Sequence, residues 1–381
     1  MALYGGKPEA GDIQAAATQL ERDWSSVRAD MRQVDSHVAG TFEVWDQKLF
    51  PKRIAFHPAF ARAKLDQAVN SQVSLNPKVL KEAARSRGGR GQDMHKKRAD
   101  ANEEGVKAVL RDAFAREPVP PPKQFFHYLM RYGVALLGID WREDEDAIRK
   151  PTQGTQETAQ KYKDRLAKWE EKKDGWDPIH VLIPHPGRTL CPPYQAEPEC
   201  VIIRGQRYAK ELYDLTRDKG RYAAKVVNAY DPKDSPYTMV KTLEWFSAGY
   251  HGLILDGGEL LFMEEPFYKF QPFTLSYSGW GVEVYDGTEQ SRDPRYLAVG
   301  LLHGLFEELV THAKLLSSLN NSVYRNAFAR LVGPHSEEWS QALDTDDAVL
   351  EGDVKDVGFL QFPAIQEALF YAIVASERRL E

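Results

Sequence analysis

The sequence predicts an α+β fold, in which helices cover a strand-rich middle region and a long helical hairpin follows. Three observations predict it. Apolar residues recur at helical spacing early in the chain, short β-like runs separated by turn signals follow, and the last third holds a helix, a small insert and a second helix. With 381 residues, 42% hydrophobic and 28% charged, the chain has the composition of an ordinary folded protein.

Composition and charge exclude several classes of protein. The net charge of −6 argues against a chain that binds nucleic acid over its whole surface, so contact with DNA is expected to be local or by shape. Cys191 and Cys200 cannot form a disulfide framework and indicate a reducing compartment. We see no signal peptide and no apolar run of about 18 residues that could span a membrane. We therefore expect a soluble protein made in the cytosol.

The first part of the chain is predicted to be mainly helical. Residues 12–48 carry apolar residues at helical spacing and are expected to form one amphipathic packing helix. Residues 58–85 predict two short helices separated by an Asn-Pro pair, and residues 99–116 predict another. Residues 125–141 are strongly apolar and predict a buried helix to about Gly133, then a strand.

A Gly-rich basic loop interrupts this helical part at residues 85–98. Its cations are Arg85, Arg87, Arg90, Lys96, Lys97 and Arg98. A solvated loop is the simpler interpretation, and a loop that contacts DNA phosphates is the alternative. The loop lacks the closing Lys-Ser/Thr of a P-loop, which argues against ATP binding.

The middle of the chain predicts a sheet. Residues 155–175 form a highly charged helix with acid–base pairs three and four apart, typical of a solvated insertion. Short β-like runs then follow at residues 180–187, 200–208, 225–230, 237–250, 251–265 and 269–281. Within the fifth of these runs, Asp256-Gly257-Gly258 is a turn signal that predicts a β-hairpin.

The sequence contains no recognisable catalytic or cofactor motif. HExxH, GxSxG, Walker and strand-preceded GxGxxG patterns do not occur. A zinc site could be drawn from His180, His185, Cys191 and Cys200. Their spacing matches no standard ligand pattern, however, so we do not predict one. Two pairs of adjacent acids, Glu264-Glu265 and Asp346-Asp347, lie on loops or strand ends. Neighbours in a strand point to opposite faces and cannot simply share a metal, so we interpret these acids as solvated charge.

The last third begins with a helix predicted from about Ser291 to Asn326. Ser291 followed by Asp293 and Pro294 is a typical helix start. About 35 residues would span about 50 Å, well above a typical globular helix. One face is a polar stripe formed by His303, Glu307, Thr311, Lys314, Ser318, Asn321 and Arg325. The other face is apolar and carries Leu302, Leu305, Leu309, Leu316, Leu319 and Val323, with Phe306 and Ala313 beside them.

An acidic insert and a second helix complete the hairpin. The insert covers residues 329–362 and has strand-like ends, and the second helix covers residues 364–381. The acids of the insert are Glu337, Glu338, Asp344, Asp346, Asp347, Glu351, Asp353 and Asp356. A hairpin this extended buries little surface within one chain, so we expect neighbouring copies to cover it, as in a ring.

This order of parts resembles the portal, or head-to-tail connector, proteins of tailed bacteriophages. The resemblance covers most of the chain and depends on the order rather than on one motif. The stem helices correspond to SRDPRYLAVGLLHGLFEELVTHAKLLSSLNNSVYRNAF and FPAIQEALFYAIVASERRLE. Upstream, HPAFARAKLDQAVNSQVSLNP, FFHYLMRYGVALLGIDW, DPIHVLIPHPGRTL and the hairpins to WGVEVYDG resemble the wing.

The resemblance implies a domain organisation. The wing would cover residues 1–290, followed by the first stem helix at 291–328, the clip at 329–362 and the second stem helix at 363–381. Within the wing, the helical part would reach about residue 140, the charged insertion would cover about 155–175 and the strand-rich part about 178–285. The channel loop and crown that follow the stem in the family are absent, and we expect the sequence to be a piece of a longer chain rather than an unusually short portal.

The resemblance also implies a function. The chain would be a non-enzymatic virion protein without cofactor, metal or small-molecule substrate, forming a ring, typically dodecameric, at one capsid vertex. Double-stranded DNA would pass through it during packaging and ejection, and its partners would be the major capsid protein, the terminase large subunit and a head–tail adaptor. The polar stripe would face the channel or a neighbouring subunit, with solvent as the alternative. The acids of the clip would meet basic partners or solvent, and His312, on the apolar side, would lie at a subunit interface.

Two other classes stay open. A minor head or adaptor protein would assemble only with partners, and the size of the chain argues against it. A metal-dependent phage hydrolase or nuclease would be a compact monomer, and the missing motifs and the paired helices argue against it.

Overall fold

The computed structural model describes part of the chain in residue detail. The described residues are 7–46, 48, 54–74, 104, 114, 119–141, 151–152, 158–175, 179–212, 236–255, 258–266, 269–282, 293–327, 331–332, 358–359 and 367–380. They form a mixture of α-helices and antiparallel β-sheets, in agreement with the predicted α+β class. The chain divides into two compact units, which we call the first unit (residues 1–32 and 65–301) and the second unit (residues 33–64 and 302–381).

The single helix predicted over residues 12–48 is two shorter helices. Helix α1 covers Ala10–Asp23 and α2 covers Ser25–Ala39. The break is the single residue Trp24, with φ −93° and ψ 3°; its side chain is buried and its indole Nε1 donates a hydrogen bond to the Cys191 carbonyl oxygen at 2.7 Å. Helix α2 ends before Gly40, whose φ of +68° is a left-handed conformation that favours glycine.

Helix α3, Phe60–Ser74, is the first of the two helices predicted over residues 58–85. The second of these helices and the basic loop at 85–98 lie outside the described residues. So does the helix predicted at 99–116, apart from Glu104 and Phe114.

The predicted helix-to-strand change at Gly133 is confirmed. Helix α4 covers Pro121–Tyr132 and β1 covers Val134–Trp141, and Gly133 between them has a φ of +74°. The predicted full burial of this helix is wrong. Only Pro121 and Tyr132 at its ends are buried, because the helix packs on β1 with one face and leaves the rest half-covered.

Two antiparallel sheets form the centre of the first unit. The three-stranded sheet has the order β2-β1-β8, with β2 at Ile179–Leu182 and β8 at Phe273–Tyr277. The five-stranded sheet is a meander whose strands follow chain order. Its strands are β3 (Thr189–Leu190), β4 (Cys200–Tyr208), β5 (Met239–Ser247), β6 (His251–Leu255) and β7 (Leu260–Glu264).

These strands confirm the β-like runs of the sequence, except for residues 225–230, which lie outside the described part. The predicted hairpin is the antiparallel pair β6–β7, with an irregularity between Leu253 and Ile254. Gly258 in its turn has a φ of +89°. The charged insertion is also a helix, α5, at Ala159–Gly175.

The first long helix of the hairpin begins later than predicted. Residues 294–296 form a 3₁₀ turn, residues 297–305 are irregular, and helix α6 covers only Phe306–Ala327. Its 22 residues span about 33 Å rather than about 50 Å. Asp293 does accept a hydrogen bond from the Arg295 backbone N–H at 3.0 Å, but it caps the 3₁₀ turn and not a long helix.

The cause of the late start is packing of residues 298–301 against the end of α4. The Leu301 N–H donates to the Met130 carbonyl oxygen at 2.7 Å, and the Ser278 hydroxyl donates to the Val299 carbonyl oxygen at 2.6 Å. A Cβ on Gly300 would lie 2.3 Å from the Arg131 carbonyl oxygen. Backbone groups that a helix would pair internally are therefore paired with another element.

The rest of the hairpin agrees with the sequence. Helix α7 covers Glu367–Leu380 and is the predicted second helix. Strand β9, Leu331–Val332, pairs antiparallel with β10, Gly358–Phe359, which confirms the strand-like ends of the insert. The eight acids of the insert lie outside the described residues.

Candidate functional site

Helices α6 and α7 form an antiparallel pair in the second unit, which we call the helix pair. Arg379, in the last turn of α7, forms an ion pair with Glu308, in the first turn of α6, at 3.3 Å between Nη1 and Oε1. This bridge is partly exposed and contributes about 0.2–1 kcal/mol. Apolar burial contributes more, and the buried apolar residues of the pair are Leu309, Ala313, Ile373 and Leu380. The insert with its β9–β10 strands connects the two helices at the other end.

The residues of the predicted polar stripe differ in exposure and do not form one continuous face. Glu307, Thr311 and Lys314 are exposed, as a channel-facing or subunit-facing role requires. His303 precedes the helix and lies in a turn, where its ring is 5.7 Å from that of Phe306. Ser318 is half-buried, and Asn321 donates a hydrogen bond to the backbone of Ile54. The Arg325 side chain lies outside the described part.

Asn321 and Ser317 bind the backbone of a segment at residues 54–57 of the same unit. The Asn321 amide donates to the Ile54 carbonyl oxygen at 2.9 Å and accepts from the Ile54 N–H at 3.3 Å. The Ser317 hydroxyl accepts from the Phe56 N–H at 2.7 Å and donates to the Phe56 carbonyl oxygen at 3.3 Å. Two side chains four residues apart on α6 thus satisfy backbone groups as a neighbouring strand would. The sequence shows only an ordinary polar i, i+4 pair, so this role was missed.

The apolar face of α6 is rotated relative to the prediction. Leu309 and Ala313 are buried as expected, whereas Leu316 and Leu319 are half-buried and Val323 is 46% exposed. The places of these residues in the interior are taken by two polar residues, His312 and Ser317, which are buried completely or nearly so.

His312 is covered by residues of its own chain rather than lying free for a subunit interface. Its side chain is 2% exposed and its ring centroid lies 6.3 Å from that of Phe60. Its Nδ1 is buried and has no hydrogen-bond partner among the described residues. Burial lowers the pKa of His312, and the nearby charge of Glu377 partly opposes this effect.

A cluster of aromatic and histidine rings lies close to the start of α6. His37 stacks on Phe42 at 4.5 Å and lies 4.7 Å from Phe306, and His57 meets the edge of Phe42 at 5.0 Å. The His57 Nε2 is also 2.8 Å from the Phe42 carbonyl oxygen. These contacts connect the segment after α2 with the helix pair inside the second unit.

Three large apolar side chains of α7 are exposed. Phe370 and Tyr371 are neighbours in the sequence and are 48% and 68% exposed. Val374, four and three residues after them, is 45% exposed and lies on the same side of the helix. We call these three residues the α7 stripe. Adjacent large apolar side chains on a surface are typical of contact sites.

The zinc site that the sequence allowed to be drawn is not assembled. The His185 ring is used within the fold, since its Nδ1 accepts from the Gly187 N–H at 3.1 Å and its Nε2 lies 3.2 Å from the Tyr132 hydroxyl. Burial raises the pKa of Cys200 to about 12, and that of Cys191 is raised further, so both thiols are protonated at neutral pH. Within the described ranges, His, Cys, Asp and Glu form no group of three that could hold a metal ion.

A second polar cluster lies on the five-stranded sheet. Glu244 accepts from Arg207 at 3.0 Å and lies 3.1 Å from the His251 Nε2. Burial acts to raise the pKa of Glu244, but the hydrogen bond from His251 and the charge of Arg207 outweigh it and lower the pKa. The carboxylate is therefore ionised and doubly paired, which is a structural arrangement and leaves no free base.

Comparisons with known proteins assign this chain to no family. No protein-family model and no curated protein matches this chain. No helix within the described residues combines the length and the apolar character needed to cross a membrane.

Proposed function

We propose that this chain is a portal protein of a tailed bacteriophage. It would form a ring at the portal vertex of the capsid, conduct double-stranded DNA during packaging and ejection, and bind the terminase large subunit, a head–tail adaptor and the major capsid protein. The observation that carries the proposal is the antiparallel helix pair, joined by an insert whose two ends pair as β9 and β10. The resemblance implies a stem of two helices joined by a clip, and the helix pair with its insert supports that assignment.

The exposed side chains of the helix pair support assembly into a ring. The α7 stripe and Val323 leave apolar surface uncovered in the single chain. A contact between two different faces of identical subunits closes into a ring when the rotation per subunit fits. Burial of such side chains contributes about 25 cal/mol per Å² of apolar surface, so repeated contacts would stabilise the assembly.

The charge of the chain supports a conduit. Each phosphate that a protein neutralises adds salt-dependent affinity for DNA. A channel with many such contacts would hold the DNA instead of letting it pass, and the net charge of −6 limits their number. Glu307, Thr311 and Lys314, of mixed charge and exposed on α6, are our candidates for the channel or the subunit contact.

Negative-stain electron microscopy together with light scattering tests the proposal. We expect rings with an open channel and a mass about twelve times the 43.3 kDa of one chain. A species of 43.3 kDa at every concentration would contradict it. Metal-dependent cleavage of DNA or of an ester by such a monomer would favour the hydrolase alternative, and assembly only in the presence of other virion proteins would favour the adaptor alternative.

A further inference from the structure

A basic pocket lies on one face of the five-stranded sheet, in the first unit. Its volume is about 360 Å³, in the lower part of the range of small-ligand sites. The residues that line it are Arg188, Arg204, Gly205, Gln206, Lys241, Thr242 and Leu243.

The strand register brings its polar side chains together. Gln206 of β4 pairs with Lys241 of β5, and Arg204 pairs with Leu243, so these four residues point to the same face. Arg188 lies in the 3₁₀ turn directly before β3. Strand β3 pairs with the edge of β4 opposite to the one that pairs with β5. Three cations from three different parts of the chain therefore surround one pocket.

Arg204 is held in a fixed orientation. Its Nη1 and Nη2 atoms donate to the two carboxylate oxygens of Glu21 at 2.7 Å and 2.5 Å. Glu21 also accepts from Arg28 at 2.9 Å, so one carboxylate is shared by two guanidinium groups. The hydrogen bond from Arg204 is the main cause of the lowered pKa of Glu21, which keeps the carboxylate ionised.

The pocket carries an excess of positive charge. Arg188 and Lys241 are exposed, and neither has an acidic partner among the residues that the structure describes. The residues that line the pocket include three cations and no acid, and Arg204 shares the carboxylate of Glu21 with Arg28. Like charges held this close repel each other, and an anion in the pocket would relieve the repulsion.

We propose that this pocket binds a phosphate group. A planar carboxylate ligand pairs with guanidinium groups along one edge, as Glu21 does. Cations on several sides of a pocket instead suit a tetrahedral anion with three or four oxygens. Glu21 holds Arg204 in place. Arg188 and Lys241 supply positive charge from the two sides of the pocket, and the Gln206 amide supplies a neutral hydrogen-bond donor. This site is separate from the helix pair and does not depend on the proposed function.

The phosphate could belong to a free ligand or to the backbone of a nucleic acid, and two probes distinguish these sources. Pyrophosphate binding is measured by calorimetry on the full chain, and binding of a short duplex DNA of mixed sequence is measured by fluorescence anisotropy. The test variant is Arg188→Ala with Lys241→Ala, since both side chains are exposed and unpaired with acids. The matched control is Lys163→Ala with Lys168→Ala, which removes the same charge from the exposed face of α5.

We expect the test variant to weaken pyrophosphate binding at least tenfold, while the control binds as the wild type does. If duplex binding weakens in parallel and pyrophosphate competes with it, the phosphate is that of a nucleic acid backbone. If duplex binding is unchanged, the site takes a free phosphate compound. Equal affinity of wild type, test variant and control for both probes, or no binding of either, would overturn the proposal. Circular dichroism of each variant verifies that the fold is retained.

Discussion

At the scale of single residues, His312 is a buried histidine whose neutral form the fold favours. Burial lowers its pKa below the ordinary value of 6.5, and the charge of Glu377 does not fully compensate. The unfolded chain therefore binds a proton at this side chain at a higher pH than the folded chain does. Stability consequently falls as the pH decreases through about 6.5, because the unfolded state takes up more protons.

We predict that His312→Leu reduces this part of the pH dependence. The free energy of unfolding, measured with urea at pH 8 and at pH 5.5, should differ less in the variant than in the wild type. His180→Leu, a matched change in the first unit, should leave the wild-type difference intact. An unchanged difference in His312→Leu would contradict a neutral buried His312.

Gly133 is required for two reasons at once. Its φ of +74° is unfavourable for other residues, and a Cβ there would lie 2.2 Å from the Val299 backbone nitrogen. We predict that Gly133→Ala lowers the free energy of unfolding by about 2 kcal/mol or more, from backbone strain of about 1–3 kcal/mol with the clash added.

The matched control for this glycine is Gly11→Ala. Gly11 lies in the first turn of α1 and has open space around a Cβ, so alanine should be neutral or stabilising by up to about 1 kcal/mol. Thermal unfolding of both variants measures the contrast. Equal effects of the two substitutions would show that the packing at Gly133 is looser than described.

At the scale of elements, α6 binds residues 54–57 through side chains rather than through strand pairing. We predict that Asn321→Ala lowers the free energy of unfolding by about 1–2 kcal/mol, because both backbone groups of Ile54 lose their partner. Asn320→Ala is the control one position away, since Asn320 is exposed. Urea unfolding of the two variants is the measurement, and similar losses would contradict a specific role for Asn321.

At the scale of the whole molecule, the proposed ring depends on surfaces that the single chain leaves exposed. We predict that Phe370→Glu with Val374→Glu abolishes rings in electron micrographs and gives a folded monomer by light scattering. A charged side chain in an apolar contact loses water without gaining a partner, which costs several kcal/mol in each interface. The control is Ala167→Glu on the exposed side of α5, which should leave the rings intact. Rings that persist in the double variant would exclude the α7 stripe from the subunit contact.

The sequence by itself determined the features that depend on neighbouring residues. The turn residues between β6 and β7 and the left-handed Gly133 between α4 and β1 are local signals, because backbone preferences act over a few residues. The two helices and the strand-like ends of the insert were predicted from local patterns, whereas the pairing of α6 and α7 was inferred from their order along the chain.

Only the tertiary structure decided where these elements break and which faces they bury. The break between α1 and α2 lies at Trp24, whose buried indole donates a hydrogen bond to the backbone of Cys191, 167 residues away. The start of α6 is delayed by residues 298–301 packing on α4, and its face is turned by Ser317 and Asn321 binding residues 54–57. The basic pocket likewise depends on the register of β4 and β5. Contacts between distant parts of the chain outweigh local preference here, since a buried group must find a partner wherever the fold places one.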